Sequence, residues 1–301
     1  MKIIRAKDYD DVSRKAASIL AAQIILKPDA VLGLATGGSP VGLYRHLVDG
    51  YRRGALDFSG IRAINLDEYV GLGADHEQSY AFFMRRNLFD HVNIAPENCH
   101  IPNGLTEDPE QECAAYDALI QAMDGTDLQL LGMGANGHIG FNEPGDVFIP
   151  ETHCVALKES TIEANARFFT GLEEVPKKAY TMGIRGIMRA KRIVMVVSGS
   201  GKAQAVKQAF WGPITPALPA SILQRVFAVR GADAEPLLSR RLRVVCAGES
   251  PRTAFCVLLR IAEVNRLHRS FLLKPRIRKT IRHSCCFASC SSPRKARPSC
   301  P

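Results

Sequence analysis

The sequence predicts an α/β protein with a mainly parallel central sheet flanked by helices. Short apolar runs alternate with longer amphipathic stretches, the pattern of βα units. Glycine-rich turns and polar side chains come after the apolar runs rather than before them, as expected where a parallel sheet presents groups at its carboxyl edge. The chain has 301 residues, 46% hydrophobic and 23% charged, enough to bury a substantial core.

In chain order, residues 16–26 are an apolar run preceded by Asp8, Asp10 and Asp11. That reads as an amphipathic first helix, since a secretion signal would open with a basic region. Residues 31–35 read as a buried strand, followed by the turn Thr36-Gly37-Gly38-Ser39-Pro40 and a helix to about Val48. Residues 61–66 form a second strand ending at Asp67-Glu68. Residues 79–90 place Tyr80, Phe83, Met84 and Leu88 on one helical face. Residues 128–133 form a strand that empties into a loop with glycines at 132, 134, 137 and 140. Next come a short strand at 153–157, a helix at 161–169 capped by Thr161, and strands at 179–184 and 193–197. A helix at 202–210 comes after Ser198-Gly199-Ser200-Gly201, and residues 227–229 offer a last short strand.

The formal charge of +9 is unevenly distributed. Residues 1–224 hold 22 Lys/Arg against 26 Asp/Glu, whereas residues 225–301 hold 17 against 4. A basic tail on an acidic body is not a sequence-specific nucleic-acid surface. Six of the nine cysteines fall in that tail, and the other three (Cys99, Cys113, Cys154) are scattered as in reduced cytoplasmic proteins. His283, Cys285, Cys286 and Cys290 lack regular zinc spacing, so no metal is expected. Arg260, Glu263, Arg266 and Arg269 interrupt the apolar stretch 253–273, so no membrane span is expected there. Beyond about 240 the periodicities weaken. The expected organisation is a catalytic domain over residues 1–240 and a basic, cysteine-rich, poorly ordered or non-native extension over 241–301.

Four constellations carry chemistry. The turn 36–40 exposes backbone N–H groups and a hydroxyl at a helix start, suited to an anion such as phosphate; an ordinary capped turn fits the pentapeptide equally well. Adjacent Asp67 and Glu68 point to opposite sides of an extended strand, so one can enter a cleft while the other serves structure. Asp67 is thus a candidate general base, against the plain alternative of a solvated pair. His138 and Glu143 share a constrained loop in which a carboxylate can orient an imidazole, with Asn136 assisting by hydrogen bonding. Arg167 and Lys202 are the fourth set. Each alone reads as a surface cation, but with Ser39 they would surround one phosphate. The spacing around Lys202 is not that of a P-loop.

These motifs in this order resemble the glucosamine-6-phosphate deaminases. The resemblance rests on Ala35-Thr36-Gly37-Gly38-Ser39-Pro40, Asn65-Leu66-Asp67-Glu68-Tyr69-Val70-Gly71-Leu72 and Gly137-His138-Ile139-Gly140-Phe141-Asn142-Glu143-Pro144. Ala164-Asn165-Ala166-Arg167-Phe168-Phe169 and Pro219-Ala220-Ser221-Ile222-Leu223-Gln224 complete it, so it runs to about residue 224. It implies a modified Rossmann-like fold and conversion of glucosamine 6-phosphate and water to fructose 6-phosphate and ammonia. His138, with Asn136 and Glu143, would open the sugar ring, and Asp67 would move a proton from C2 to C1. Thr36, Gly37, Gly38, Ser39, Arg167 and Lys202 would hold the phosphate. The resemblance implies a cytoplasmic enzyme with a small sugar phosphate as partner, no metal or other cofactor, and a monomer or homo-oligomer. Residues 145–154 offer only His153 as a cation, so no second sugar-phosphate site is expected there. Two alternatives stand beside this reading. A 6-phosphogluconolactonase-like hydrolase would carry a different sequence after its Gly-His pair, and a phosphosugar sensor would need an N-terminal helix-turn-helix for which the early first strand leaves no room.

Overall fold

The computed structural model describes residues 3–226 together with the backbone of residues 241–247 and 255–261. Strands β1 (Ile3–Ile4), β2 (Val31–Leu34), β3 (Arg62–Asn65), β4 (Asp67–Tyr69), β5 (Cys99–His100) and β6 (Leu128–Leu131) precede β7 (His153–Ala156), β8 (Lys178–Thr181) and β9 (Ile193–Ser198). The backbone segments β10 (Arg241–Ala247) and β11 (Phe255–Ile261) pair with each other and with β1. The helices are α1 (Tyr9–Leu26), α2 (Val41–Arg52), α3 (Tyr80–Asn87), α4 (Pro109–Ala122), α5 (Glu159–Ala166), α6 (Ile184–Arg189) and α7 (Ala203–Trp211).

The expected parallel sheet is present as five strands in the order β5-β3-β2-β6-β9, every pair parallel. Its three middle strands are buried along nearly their whole length, which explains their continuous apolar runs. From β2 the chain passes to β3 on one side and returns to β6 on the other. The loops after β2 and β6 therefore diverge and leave a crevice at the carboxyl edge. The antiparallel sheet β4-β8-β7 has no counterpart in the sequence expectation. It arises because the second apolar run breaks at Leu66, whose carbonyl accepts from the Met182 N–H at 2.7 Å, and Asp67 starts a strand in the other sheet.

α1 starts at Tyr9, where Asp8 accepts from the Asp11 N–H, and buries Val12, Ala16, Leu20 and Ile24 on one stripe. One core joins this stripe to Leu43, Tyr44 and Leu47 of α2, to the parallel strands, and to Ala205, Ala209 and Phe210 of α7. α4 escaped the sequence reading although its start is well marked, with Asp108 accepting from Glu110 and Gln111 N–H groups and Pro109 in the first turn. Boundaries also differ: the helix expected to end at about Val48 runs to Arg52, and the one expected at 79–90 is Tyr80–Asn87. The helix expected at 161–169 is α5, which starts at Glu159, so Thr161 sits inside it, buried, rather than at its cap. The strand expected at 179–184 stops at Thr181, because Gly183 and Ile184 begin α6. Residues 227–229 lie outside the described residues, and the sequence reading named no strand where β10 and β11 stand. Among the described residues no helix is long and apolar enough to cross a membrane.

Gly183 holds the start of α6 against residues 149–151, where Ile184 and Arg185 N–H groups donate to the Ile149 and Pro150 carbonyls, both at 2.9 Å. A Cβ on Gly183 would run into the Pro150 and Glu151 carbonyls, backbone that cannot rotate away. Gly183→Ala is expected to lower stability by about 3 kcal/mol, read as an earlier denaturant midpoint at unchanged m.

Candidate active site

The crevice is a cavity of about 640 Å³, within the range for small-ligand sites. Nine of the ten sequence-predicted site residues line it: Thr36, Gly37, Gly38, Ser39, Asp67, Asn136, His138, Arg167 and Lys202. The tenth, Glu143, stands behind His138.

Strand alternation separates the two acids as expected. Asp67 faces the cavity, buried, and among the described residues no donor reaches its carboxylate. Burial and the neighbouring Glu68 charge push the Asp67 carboxyl well above the usual range. Gly140 (φ 58°) lets the opposite loop pass close by, since a Cβ there would meet the Thr181 hydroxyl and stand 3.4 Å from Asp67 Oδ2. Glu68 turns the other way. Its carboxylate accepts from the Tyr69, Tyr80 and Ala81 N–H groups at 2.8–2.9 Å and so holds the N-terminus of α3. Burial still raises it to about 7, outweighing those three bonds.

The loop after β6 folds on itself through Gly134 N–H to His138 carbonyl (3.0 Å) and Gly137 N–H to Gly134 carbonyl (3.1 Å). Glu143 Oε2 stands 3.6 Å from His138 Nδ1 and accepts from the Asn136 amide at 2.8 Å. Asn136 Oδ1 in turn accepts the His138 N–H at 3.2 Å. Burial would raise the Glu143 carboxyl, but His138, Thr161 and Asn136 together bring it below its ordinary value. Asn142 fastens the loop to the sheet through the Ile139 and Met182 carbonyls, both at 2.9 Å.

Gly37 (φ 88°) shapes the turn before α2, whose start has no side-chain cap. Tyr44 braces the end of β2 by donating to the Ala35 carbonyl at 2.5 Å, and Tyr9 donates to the Gly38 carbonyl at 2.8 Å. Lys202 faces the same space. Burial and the nearby Arg167 charge lower its pKa.

The family model of glucosamine-6-phosphate isomerases/6-phosphogluconolactonase matches residues 6–229. The chain belongs to this family. A glucosamine-6-phosphate deaminase of Lachnoclostridium phytofermentans is 57% identical over 224 residues, covering 74% of this chain and 95% of that one. One of Clostridium perfringens is 55% identical over 241 residues, covering 79% of this chain and all of its own length. The solved structure of a monomeric glucosamine-6-phosphate deaminase superposes with a TM-score of 0.73 at 48% identity, over 75% of this chain and 93% of that one. A 6-phosphogluconolactonase of Thermotoga maritima shares the fold at 18% identity, with a TM-score of 0.54 over 72% of this chain and 92% of its own.

Within this isomerase/lactonase fold, the sequence reading missed an aromatic wall. The Tyr80 and Phe141 rings stack at 9° with centroids 5.8 Å apart, and Tyr69 packs on both. All three line the cavity. Tyr80 and Phe83 read as core because they share a face with Met84 and Leu88; the helix start at Ser79 puts the first pair in the cavity and the second in the core. Thr161 and Asn165 also line the cavity. Their signal in the sequence was polar side chains on the face of α5 leading to Arg167.

Asp67 is more easily protonated folded than unfolded, so its contribution to stability is full at acid pH. That contribution is lost as pH rises from the ordinary carboxylate range through the raised value. Asp67→Asn should therefore melt above the parent protein at about pH 8, with the difference fading towards about pH 4 in paired thermal scans.

Proposed function

We propose that the chain is a glucosamine-6-phosphate deaminase, converting glucosamine 6-phosphate and water to fructose 6-phosphate and ammonia. The observation that carries this reading is one cavity lined by an isolated buried carboxylate, an imidazole backed by a carboxylate, a pair of cations and a glycine turn. The deaminases of similar sequence support it, whereas the lactonase structures share only the fold.

The sugar phosphate binds with its anionic end on the 36–39 turn, Arg167 and Lys202. His138, oriented by Glu143 and Asn136, takes the proton from the O1 hydroxyl and delivers it to the ring oxygen, which breaks the C1–O bond and exposes the aldehyde. Asp67 then removes the C2 proton while O1 gains one from the substrate's own C2 ammonium, giving an enolamine. The same carboxyl returns the proton to C1, and the nitrogen is left as a C2 iminium. Water adds at C2 and ammonia departs, leaving the ketose. One base serves both carbons because they are neighbours, and its raised pKa makes it stronger than an exposed aspartate. The aromatic wall of Tyr69, Tyr80 and Phe141 shields the enolamine from bulk water. The three thiols at Cys99, Cys113 and Cys154 are free, which supports a reducing, cytoplasmic setting.

The test is simultaneous measurement of ammonia and fructose 6-phosphate from glucosamine 6-phosphate. Asp67→Asn should reduce turnover by about a thousandfold or more, while Arg167→Gln and Lys202→Met should raise KM by about tenfold. Because Asp67 must be ionised, kcat/KM should fall on the acid side at a pH above the ordinary carboxylate range. A folded wild-type chain that releases no ammonia would remove the reading.

A further inference from the structure

Ring opening by His138 leaves one oxygen of its carboxylate partner without a role. Glu143 Oε2 takes the Asn136 amide and faces His138, while Oε1 is buried without a hydrogen-bond partner. A buried carboxylate oxygen with no donor is costly, and the protein has a matching donor at hand. The Thr161 hydroxyl is also buried and unpartnered, on a residue only 3% exposed that lines the cavity beside Asn136 and His138. It lies near enough to Glu143 to help hold that carboxyl in its ionised form. The groups acting on Glu143 among the described residues are His138 and Asn136 from its own loop and Thr161 from α5.

α5 makes this pairing more than local. Thr161 is three residues into the helix, and its N–H bonds the Lys158 carbonyl at 2.8 Å. Arg167 caps the other end, its guanidinium 4.7 Å from the Phe168 ring centroid, and faces the same cavity as Lys202. Six residues of helix span about 9 Å, so one short rod touches both the imidazole pair and the phosphate end.

We propose that Thr161 is a positioning residue: its hydroxyl donates to the free oxygen of Glu143, so that seating α5 by the anion at Arg167 aligns Glu143 and His138 for ring opening. This rests on the proposed deaminase reading for its kinetic consequence but not for the coupling itself. It makes the phosphate a contributor to turnover as well as to affinity, because an unseated α5 leaves the imidazole poorly oriented.

The experiment compares full-length wild type, Thr161→Ser and Thr161→Val. With glucosamine 6-phosphate, Thr161→Val should lower kcat by about tenfold or more with KM within about threefold, and Thr161→Ser should recover kcat to within about threefold. Losing the donor makes Glu143 easier to protonate, so the titration of its own carboxyl, followed by carbon NMR, should move to higher pH in Thr161→Val and stay in place in Thr161→Ser. A merely structural role would change melting temperature without moving that titration. The second readout needs no turnover: inorganic phosphate titrated into each protein, with the His138 ring observed by nitrogen NMR. Phosphate should shift the ring in wild type and Thr161→Ser. In Thr161→Val it should leave the ring unshifted while binding with similar affinity. Equal ring shifts in all three proteins, or equal kcat and Glu143 titration in Val and Ser variants, would overturn the proposal. Should Thr161→Val not fold, Thr161→Ala against Thr161→Ser gives the same contrast. A wild type inactive on the sugar but showing the phosphate-dependent difference would sink the deaminase reading and leave the coupling standing.

Discussion

Two adjacent carboxylates taken out of water are the constraint around which this structure is arranged. Asp67 and Glu68 are both buried, and burial raises both. A protein bears such a cost only where the geometry returns something, and the two acids return different things. Glu68 satisfies N–H groups at the start of α3, which would otherwise lie near a crevice with no partner. Asp67 is left without donors, so its carboxyl stays basic and faces the cavity. The opposite directions arise from three residues of extended backbone, which in turn require β4 to leave the parallel sheet at Leu66 and pair with β8. The small antiparallel sheet is therefore the device that aims the Asp67 carboxyl into the cavity.

The histidine loop faces a different problem, which is to hold an imidazole still without packing it into the core. Gly134 supplies the floor for the ring, and an added Cβ there would meet three of its atoms. Asn142 anchors the far end of the loop to the exit of β8 through the Met182 carbonyl, and the Phe141 N–H donates to the Thr181 hydroxyl at 3.0 Å. The same Thr181 pairs with Asp67 in the β4–β8 register. The loop carrying His138 and the strand carrying Asp67 are thus referred to one residue of β8, which fixes their relation more firmly than either loop would alone.

Much of this was legible in the sequence because parallel strands announce themselves by short buried runs, and the residues just after each run fall at one edge of the sheet. Residues 31–35, 61–66 and 128–133 are placed by that signal, and with them the 36–39 turn, Asp67 and His138. The opposite directions of Asp67 and Glu68 are legible from strand alternation, but alternation alone leaves a solvated pair as the plainer reading. Arg167 and Lys202 read singly as surface cations; their grouping with Ser39 around one phosphate rests on the family resemblance, and the fold lines one cavity with all three. The break at Leu66 is invisible because the apolar run continues through it, and the break depends on a hydrogen bond from Met182, more than a hundred residues away. Thr161 reads as a cap since Ser, Thr and Asp are preferred there, but Lys158 occupies that position without a side-chain bond. Tyr80 and Phe141 are apolar enough to pass for core, and both do pack into a small apolar cluster with Tyr69 and Leu157.

Two like-charge pairs around the cavity also place opposite electrostatic demands on one ligand. Burial and Arg167 disfavour the charge on Lys202, and burial and Glu68 disfavour the charge on Asp67. A molecule carrying a dianion at one terminus relieves the first repulsion directly, and an ammonium a few carbons away relieves the second by favouring the ionised base that must attack next to it. A neutral sugar relieves neither, and a phosphorylated sugar without nitrogen relieves only one. On the proposed deaminase reading, the two like-charge pairs favour a ligand that carries both an anion and an ammonium, each half lifting a penalty that the other half cannot reach.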